Sequence, residues 1–248
     1  MDNEIRIHYV SHFLKLSLWY ARFLMAREGI AFEDAVTSRA NVYRNTDFFD
    51  GEHHPARGYE DPDWDAYLKG LKAIFDRCEG EAWEEEGLAY LWPRVKKGYS
   101  RPSTKGRPYE CWTYDDGDDY IAIHIGNVYQ PKSPLSEMRD AFMGTLLQLL
   151  KDTQQRRSDV KTVRCGSWLN SAPPFQDLFP KSWRESAIVS TKAGYTMGHW
   201  GQFMDRTGRF HIKNGAHLRA TGEFLYPCST CYAPIDEIVA HLEAMMRG

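Results

Sequence analysis

The sequence predicts an α/β protein whose N-terminal part is mostly helical. Three observations lead to this prediction. Apolar residues recur at helical spacing over most of the first hundred residues. The pattern changes near Tyr109, after which strand-like runs appear. These runs alternate with helical patterns, which is typical of a sheet covered by helices. We therefore expect a helical region over residues 1–108 and an α/β region with a mixed central sheet over residues 109–248.

The helices of the first region are predicted from periodicity and punctuation. Val10, Leu14 and Leu18 keep the spacing of one helical face. Stretches dense in glycine and proline break the pattern and predict loops. The expected helices cover residues 4–28, 31–43, 63–78 and 83–92, and the expected loops cover residues 45–62 and 93–108.

The second region is predicted to alternate strands and helices. The run Tyr120-Ile-Ala-Ile-His-Ile125 is rich in β-branched residues and indicates a strand. Further strands are expected over residues 160–168, 186–190, 198–203 and 209–212. Helices are expected over residues 134–154 and 235–246, with a short helical turn at 175–179.

Composition excludes several classes of protein. The 248 residues carry 31 Lys and Arg against 34 Asp and Glu, for a net charge of −3, so a strongly basic nucleic-acid binder is not the default. No run of about 18 apolar residues exists that could span a membrane. The five cysteines are odd in number and the first residues are polar, so we expect reduced thiols and a cytoplasmic protein.

A basic loop at residues 94–107 holds Lys and Arg but no acidic residue. Such a loop between acidic stretches could hold a phosphate, a carrier protein or RNA. The alternative is ordinary solvated loop charge.

Two segments combine tryptophan and glycine with polar side chains, namely residues 165–171 and 198–206. A plain core strand needs alternating apolar residues, whereas indoles beside amides and hydroxyls suit a site that binds a polar ligand. We expect a small polar substrate to lie between Trp168 and Trp200. The predicted substrate-binding residues are Asn127, Ser167, Trp168, Asn170, Trp200 and Gln202.

Three residues are candidates for catalysis. His124 lies at the end of a predicted strand, where sites in α/β sheets often form, and an imidazole is a general base that needs little tuning. A core histidine bonded to backbone is the alternative. His199 and Asp205 share one face if residues 198–205 form a strand without a bulge. Asp205 could instead cap the turn that follows it.

Other motifs give weaker signals. The strict Gly-x-Ser-x-Gly elbow is absent, because Asn170 stands where its last glycine would be required. Cys228 and Cys231 form a single Cys-x-x-Cys pair, which we interpret as two buried thiols. Neither a P-loop nor a Rossmann glycine pattern is present.

The order His124-Ile-Gly-Asn, Pro134-Leu, a helix, Cys165-Gly-Ser-Trp-Leu-Asn and Leu178-Phe-Pro resembles a group of bacterial GNAT-like acyltransferase domains. The resemblance covers about residues 119–205. It implies a mixed sheet of the GNAT type, acyl transfer as the activity, and a site near His124, Ser167, Trp168 and Asn170. One departure is that the Arg/Gln-x-x-Gly-x-Gly/Ala loop, with which GNAT enzymes hold coenzyme A, is absent.

The sequence therefore favours an acyl- or aminoacyl-transferase-like enzyme with a histidine general base, acting in a biosynthetic pathway. The acyl donor would be an acyl-CoA or a carrier-bound acyl group, and no metal site is assigned. A ligand- or partner-binding module without chemistry is the first alternative. The second is a non-haem metal enzyme that uses His199, Asp205 and a further histidine.

Overall fold

A computed structural model describes residues 3–96 and 107–247, so most of the basic loop at 94–107 lies outside the described residues. The described chain is a mixed α/β protein, as predicted. Its helices are α1 (Asn3–Glu28), α2 (Phe32–Asp34), α3 (Pro62–Arg77), α4 (Gly80–Leu91), α5 (Arg139–Arg156), α6 (Pro173–Gln176), α7 (Lys181–Glu185), α8 (Met197–Trp200), α9 (Ile212–Thr221) and α10 (Ile235–Arg247). Its strands are β1 (Trp112–Asp116), β2 (Tyr120–Ile125), β3 (Thr162–Ser167), β4 (Ile188–Val189) and β5 (Ser229–Pro234). No helix in these described ranges is both long and apolar enough to cross a membrane.

The chain forms two compact units, and each is built from two separate stretches of sequence. The helical unit comprises residues 1–99 and 192–225, and the sheet unit comprises residues 100–191 and 226–248. The first crossing between the units falls at residues 99–100, whereas the sequence analysis expected a boundary near residue 108. The segment 192–225 differs from the expectation, because it packs with the N-terminal helices and not with the sheet.

Helix α1 supplies the centre of the helical unit. Phe13, Leu14 and Leu18 are fully buried, and the Trp83 indole of α4 donates a hydrogen bond of 2.9 Å to the Leu18 carbonyl. Helix α3 begins where Asp61 accepts a hydrogen bond from the Trp64 backbone N–H, with proline in the first turn. These contacts form one apolar core that also takes in residues from the 192–225 segment.

Buried polar groups tie the 192–225 segment to the N-terminal helices. The Arg39 guanidinium donates to the Ala193 carbonyl at 2.6 Å and to the Glu28 carboxylate at 2.8 Å. The hydrogen bond from Arg39 holds the pKa of Glu28 down at about 2. The His54 ring stacks on Tyr195 with 3.5 Å between ring centroids. A sequence-local view cannot anticipate the Arg39–Ala193 and His54–Tyr195 contacts, because these partners lie more than 140 residues apart.

The sheet unit contains a five-stranded mixed sheet in the order β1-β2-β3-β5-β4. β1 and β2 form an antiparallel hairpin, and α5 then carries the chain to β3, which runs parallel to β2. β5 is antiparallel to both of its neighbours. The last strand in the sequence is therefore an interior strand of the sheet.

One face of this sheet is covered by α5 and α10. On the other face, which we call the open face, none of the described side chains is buried. Ile121 and Ile123 of β2, Val163 and Cys165 of β3, and Cys231 of β5 are buried beneath the helices. The Trp112 indole fixes α5 on this face by stacking on Phe142 at 4.3 Å. The alternate residues point to the open face, since side chains alternate along a strand. They are Thr113, Asp115, Tyr120, Ala122, His124, Thr162, Arg164, Gly166, Ile188, Thr230, Tyr232 and Pro234.

Three element predictions are wrong. Residues 198–203 form α8 and a 3-10 turn, not a strand, and residues 209–212 hold only an isolated bridge between Met204 and Phe210. The strand expected at 186–190 is limited to Ile188–Val189. Strands β1 and β5 and helix α9 were not predicted. Trp200 and Phe203 bury their rings with Phe13 of α1, and this tertiary packing outweighs the weak local pattern.

Candidate functional site

Strands β2 and β3 part from each other before either strand ends. Their parallel pairing covers Tyr120–Ala122 against Thr162–Arg164. β2 continues to Ile125, where it is still paired with β1, and β3 continues to Ser167, where it is still paired with β5. Three residues on each facing edge therefore have no strand partner across the gap, and they leave a notch between the carboxyl ends of two parallel strands.

This notch is a favourable place for a ligand. Backbone N–H and C=O groups that leave a ladder need other partners, which water or a bound molecule supplies. In open α/β sheets, ligands bind at the carboxyl ends of neighbouring parallel strands. His124 lies in the part of β2 beyond the pairing, and Ser167 and Trp168 lie at the end of β3. The predicted residues of β2 and β3 therefore lie at the same end, the carboxyl end, of this pair of parallel strands.

His124 forms an ion-pair geometry with Asp115 on the open face. Its Nε2 lies 2.9 Å from the Asp115 Oδ2, and the two side chains are 55% and 80% exposed. His124 pairs with Thr113 in the hairpin, and Asp115 pairs with Ala122, so the four residues share one face. A carboxylate at one imidazole nitrogen fixes the tautomer and leaves the other nitrogen for substrate. The alternative of a core histidine bonded to backbone does not apply, because His124 is exposed.

Arg164 lies beside the notch and was not among the residues selected from the sequence. Its guanidinium lies 3.9 Å from the centroid of the Tyr120 ring, and it pairs in register with Ala122 at the last step before the strands part. The signal was present in the sequence, because Arg164 alternates with the apolar Val163 and Cys165 of a predicted strand. That alternation places Arg164 on the uncovered face.

Two predicted substrate-binding residues are held inside the sheet unit. The Asn170 side chain donates to the Cys165 carbonyl at 2.9 Å and to the Ser229 carbonyl at 2.8 Å, and its oxygen accepts from the Trp183 indole at 3.1 Å. The Ser167 hydroxyl accepts from the Leu169 backbone N–H at 3.1 Å, which caps a 3-10 turn. Both side chains are buried, so the structure gives them a role in shaping the end of β3 and not in direct contact with a ligand.

Trp168 and Asn127 lie at the ends of the two diverging strands. The Trp168 ring is half-buried, with its centroid 5.7 Å from that of Tyr226. Asn127 accepts from the Tyr129 backbone N–H at 2.9 Å and donates to the Lys132 carbonyl at 3.1 Å, which shapes the loop after β2. Trp168 therefore retains an open ring surface, while the Asn127 amide is used within its own loop.

The site residues predicted in the segment 198–206 lie in the helical unit. The side chain of His199 has an Nε2 atom without a hydrogen-bond partner, and Thr196 Oγ1 lies 3.4 Å from its Nδ1. Burial lowers the pKa of His199, against an opposing backbone contribution from Lys192. His199 is therefore neutral near pH 7, as a general base would need.

The neighbours of His199 are structural. Trp200 is fully buried and donates to the Gly194 carbonyl at 3.0 Å, so its indole presents no surface to a ligand. Gln202 is 1% exposed and donates to the His199 carbonyl at 3.0 Å. Asp205 caps a turn by accepting from the Thr207 backbone N–H at 2.8 Å. The structure thus favours the capping alternative for Asp205. The shared strand face of His199 and Asp205 is absent, because residues 197–203 are helical.

No group of three or more His, Cys, Asp or Glu side chains in residues 3–96 and 107–247 is arranged to hold a metal ion. The five cysteines are all free and buried. Burial raises the pKa of the Cys228 thiol to about 11, so this thiol is protonated near pH 7. Buried, protonated thiols agree with the interpretation of the Cys-x-x-Cys pair.

Comparison of the chain with protein-family models, with curated proteins and with solved structures found no match.

Proposed function

We propose that the chain is an acyl- or aminoacyl-transferase-like enzyme whose site is the notch between β2 and β3. The observation that carries the proposal is the end of strand pairing at Ala122 and Arg164, beside the exposed His124–Asp115 pair. An unpaired strand edge can hydrogen-bond the amides of an extended acyl carrier arm in the manner of an added strand. The adjacent imidazole supplies a base at the point where such an arm would end.

The topology of the sheet supports a GNAT-like assignment. Its hairpin is followed by a helical crossover to a parallel strand, and the last strand is inserted beside that strand. The resemblance implies a mixed sheet, and this sheet is mixed, with β2 and β3 as its parallel pair. His124, Ser167 and Trp168, which the resemblance would place near the site, lie at the carboxyl end of this pair.

The proposed reaction is attack of an amine on a thioester. His124 removes a proton from the attacking amine, with Asp115 holding the imidazole in position. The new C–N bond forms as the C–S bond breaks, and the departing sulfur takes up a proton. Unpaired backbone N–H groups at the notch are available to stabilise the developing oxyanion.

The donor is an acyl group on a pantetheine-type arm. Because the glycine loop for the coenzyme A pyrophosphate is absent from the sequence, a carrier-bound donor is favoured over a free acyl-CoA. The basic loop at 94–107 would dock an acidic carrier, and its residues 97–106 lie outside the described part of the chain.

The test uses S-acetyl-pantetheine and acetyl-CoA as donors and short amines as acceptors, with released thiol as the readout. The buried state of all five cysteines keeps the protein's own thiols from reacting quickly with the detection reagent. We expect His124→Gln to lower kcat by about 100-fold or more, since a positioned general base contributes about 10²–10⁴-fold.

The chain offers a matched control. His53 contacts Asp50 at 2.6 Å, and its side chain is 53% exposed, against 55% for His124. His53→Gln is expected to stay within about twofold of the parent kcat, because that pair is local to a loop of the helical unit. Equal losses in the two variants would remove His124 from the mechanism. A donor that binds and is released unchanged by every variant would favour the binding-module alternative.

A further inference from the structure

Arg164 is held on the open face without a counter-charge. Its guanidinium carbon lies over the Tyr120 ring, at 3.9 Å from the ring centroid. Among the described residues it has neither a hydrogen bond nor an ion pair. A guanidinium has five N–H donors in a rigid fork that matches a carboxylate. At Arg164 this fork is oriented by stacking and is open to solvent.

Two other arginines of this chain, Arg156 and Arg219, stack on aromatic rings and are neutralised by a carboxylate. Arg156 lies 5.2 Å from the Tyr114 ring centroid and binds both Asp116 oxygens, at 3.0 and 3.1 Å. Arg219 lies over Trp19 and binds both oxygens of Glu84. In each case a carboxylate of the chain occupies the fork. The Arg164 guanidinium likewise lies over an aromatic ring, but no described carboxylate of the chain is bound to it.

The sheet register places Arg164 and His124 on the same face but apart along β2. Arg164 pairs with Ala122, and its guanidinium lies over Tyr120, two residues before Ala122 in β2. His124 lies two residues after Ala122 in the same strand. Two to four strand positions correspond to about 7–13 Å at about 3.3 Å per residue. The floor between the two side chains is made by Ala122, so a molecule can lie across it.

We propose that Arg164 binds a terminal carboxylate of the acyl acceptor, and that the acceptor is an extended amine such as a short peptide. The carboxylate would engage the guanidinium while the amine reaches His124. A free α-amino acid is too short for both contacts, whereas a tripeptide spans about 10 Å at about 3.3–3.6 Å per residue. This inference rests on the proposed function for the identity of the acceptor.

The first experiment measures binding without any turnover. The Arg164 side-chain Nε–Hε signal is followed by NMR while glycylglycine or triglycine is added up to about 20 mM, and the C-terminal amides of both peptides serve as matched probes. We expect the acids to shift the signal and the amides to leave it unchanged, because a bidentate charge-assisted pair needs the carboxylate. Equal shifts by acids and amides, or no shift by either acid, would overturn the proposal.

A phosphate titration separates the two sources of an oxyanion. If inorganic phosphate shifts the Arg164 signal and the peptides do not, the residue recognises phosphate and the carboxylate proposal is wrong. Arg156→Gln is the matched control, since it removes an arginine that is stacked on a tyrosine but already paired with Asp116. The peptide response of Arg164 should persist in that variant.

The second experiment uses turnover with the same acceptors. Arg164→Gln should raise KM for triglycine by about tenfold or more, because the variant loses a charge-assisted hydrogen bond to the carboxylate. Its kcat should change little, and KM for the triglycine amide should not change. An unchanged KM for triglycine would overturn the proposal.

The two experiments distinguish failure of this inference from failure of the proposed function. Selective binding of acids at Arg164 without thioester turnover would retain the inference and refute the enzyme. Turnover that depends on His124 but not on Arg164 would retain the enzyme and refute the inference.

Discussion

Asn170 is expected to be a stability residue, although its place in a polar, tryptophan-rich segment suggested ligand binding. Its carboxamide joins three parts of the sheet unit: the Cys165 carbonyl of β3, the Ser229 carbonyl of β5 and the Trp183 indole of α7. Asn170→Ala removes all three hydrogen bonds at a position that is 3% exposed. The Trp183 N–H, fully buried, is then left without its partner.

The size of the effect follows from these contacts. Three lost hydrogen bonds account for about 3 kcal/mol, at about 1 kcal/mol each. An unpaired buried indole N–H adds about 1–2 kcal/mol. We therefore expect Asn170→Ala to lower the free energy of unfolding of the sheet unit by about 3–5 kcal/mol.

The assay is hydrogen exchange followed by mass spectrometry under native conditions, which reports the two units separately. Peptides from β3 and β5 should exchange about 10²-fold to about 4 × 10³-fold faster in Asn170→Ala, since about 1.4 kcal/mol corresponds to tenfold. Peptides from α1 belong to the other unit and serve as an internal reference.

Asn127→Ala is the matched control. This asparagine makes two hydrogen bonds within its own loop, but it is only half-buried, so water can replace the lost partners and the change should cost about 1 kcal/mol or less. A change below about 1 kcal/mol in Asn170→Ala, or equal changes in the two variants, would refute the structural role of Asn170.

Two further predictions concern His54 and Gly117. Burial lowers the pKa of His54 to about 4, below the unfolded value of about 6.5, so its contribution to stability is present above pH 6.5 and is lost as the pH falls toward 4. Urea unfolding of the parent chain should show that the free energy of unfolding falls between pH 6.5 and 4. A His54→Phe variant whose free energy of unfolding falls equally steeply over this range would contradict the prediction. A Cβ on Gly117 would lie 2.4 Å from the Tyr120 ring. Gly117→Ala should therefore displace that ring and weaken triglycine binding at Arg164 severalfold. The control is His124-dependent turnover of the triglycine amide, which should not change. An unchanged affinity for triglycine would show that the contact with Tyr120 does not position Arg164.

Regular, strongly patterned elements could be predicted from the sequence. β2, β3, α5 and α10 are found where periodicity placed them, because each buries a clear apolar face. β5 escaped prediction, since its buried residues include Ser229 and Ala233, which differ little in hydropathy from their exposed neighbours. β1 escaped because it is short and ends in two aspartates.

The candidate site could be predicted only in part, for physical reasons. His124 was identified because an imidazole at a strand end stands out from its apolar neighbours. Its partner Asp115 lies on a strand that the pattern did not reveal, and strand register cannot be read from one sequence. Trp200 illustrates the opposite case. An indole beside glycine and amide groups suggested a ligand wall, but its surface is taken up by Phe13, Tyr20 and Phe224.

The insertion of β5 between β3 and β4 has a consequence for biosynthesis. Among the described strands, the ribosome makes this interior strand last, after both of its neighbours. Until residues 229–234 have left the exit tunnel, β4 has no strand to join and β3 has one bare side. The nascent chain must therefore carry an incomplete sheet with unsatisfied backbone groups, a condition that favours chaperone engagement during translation.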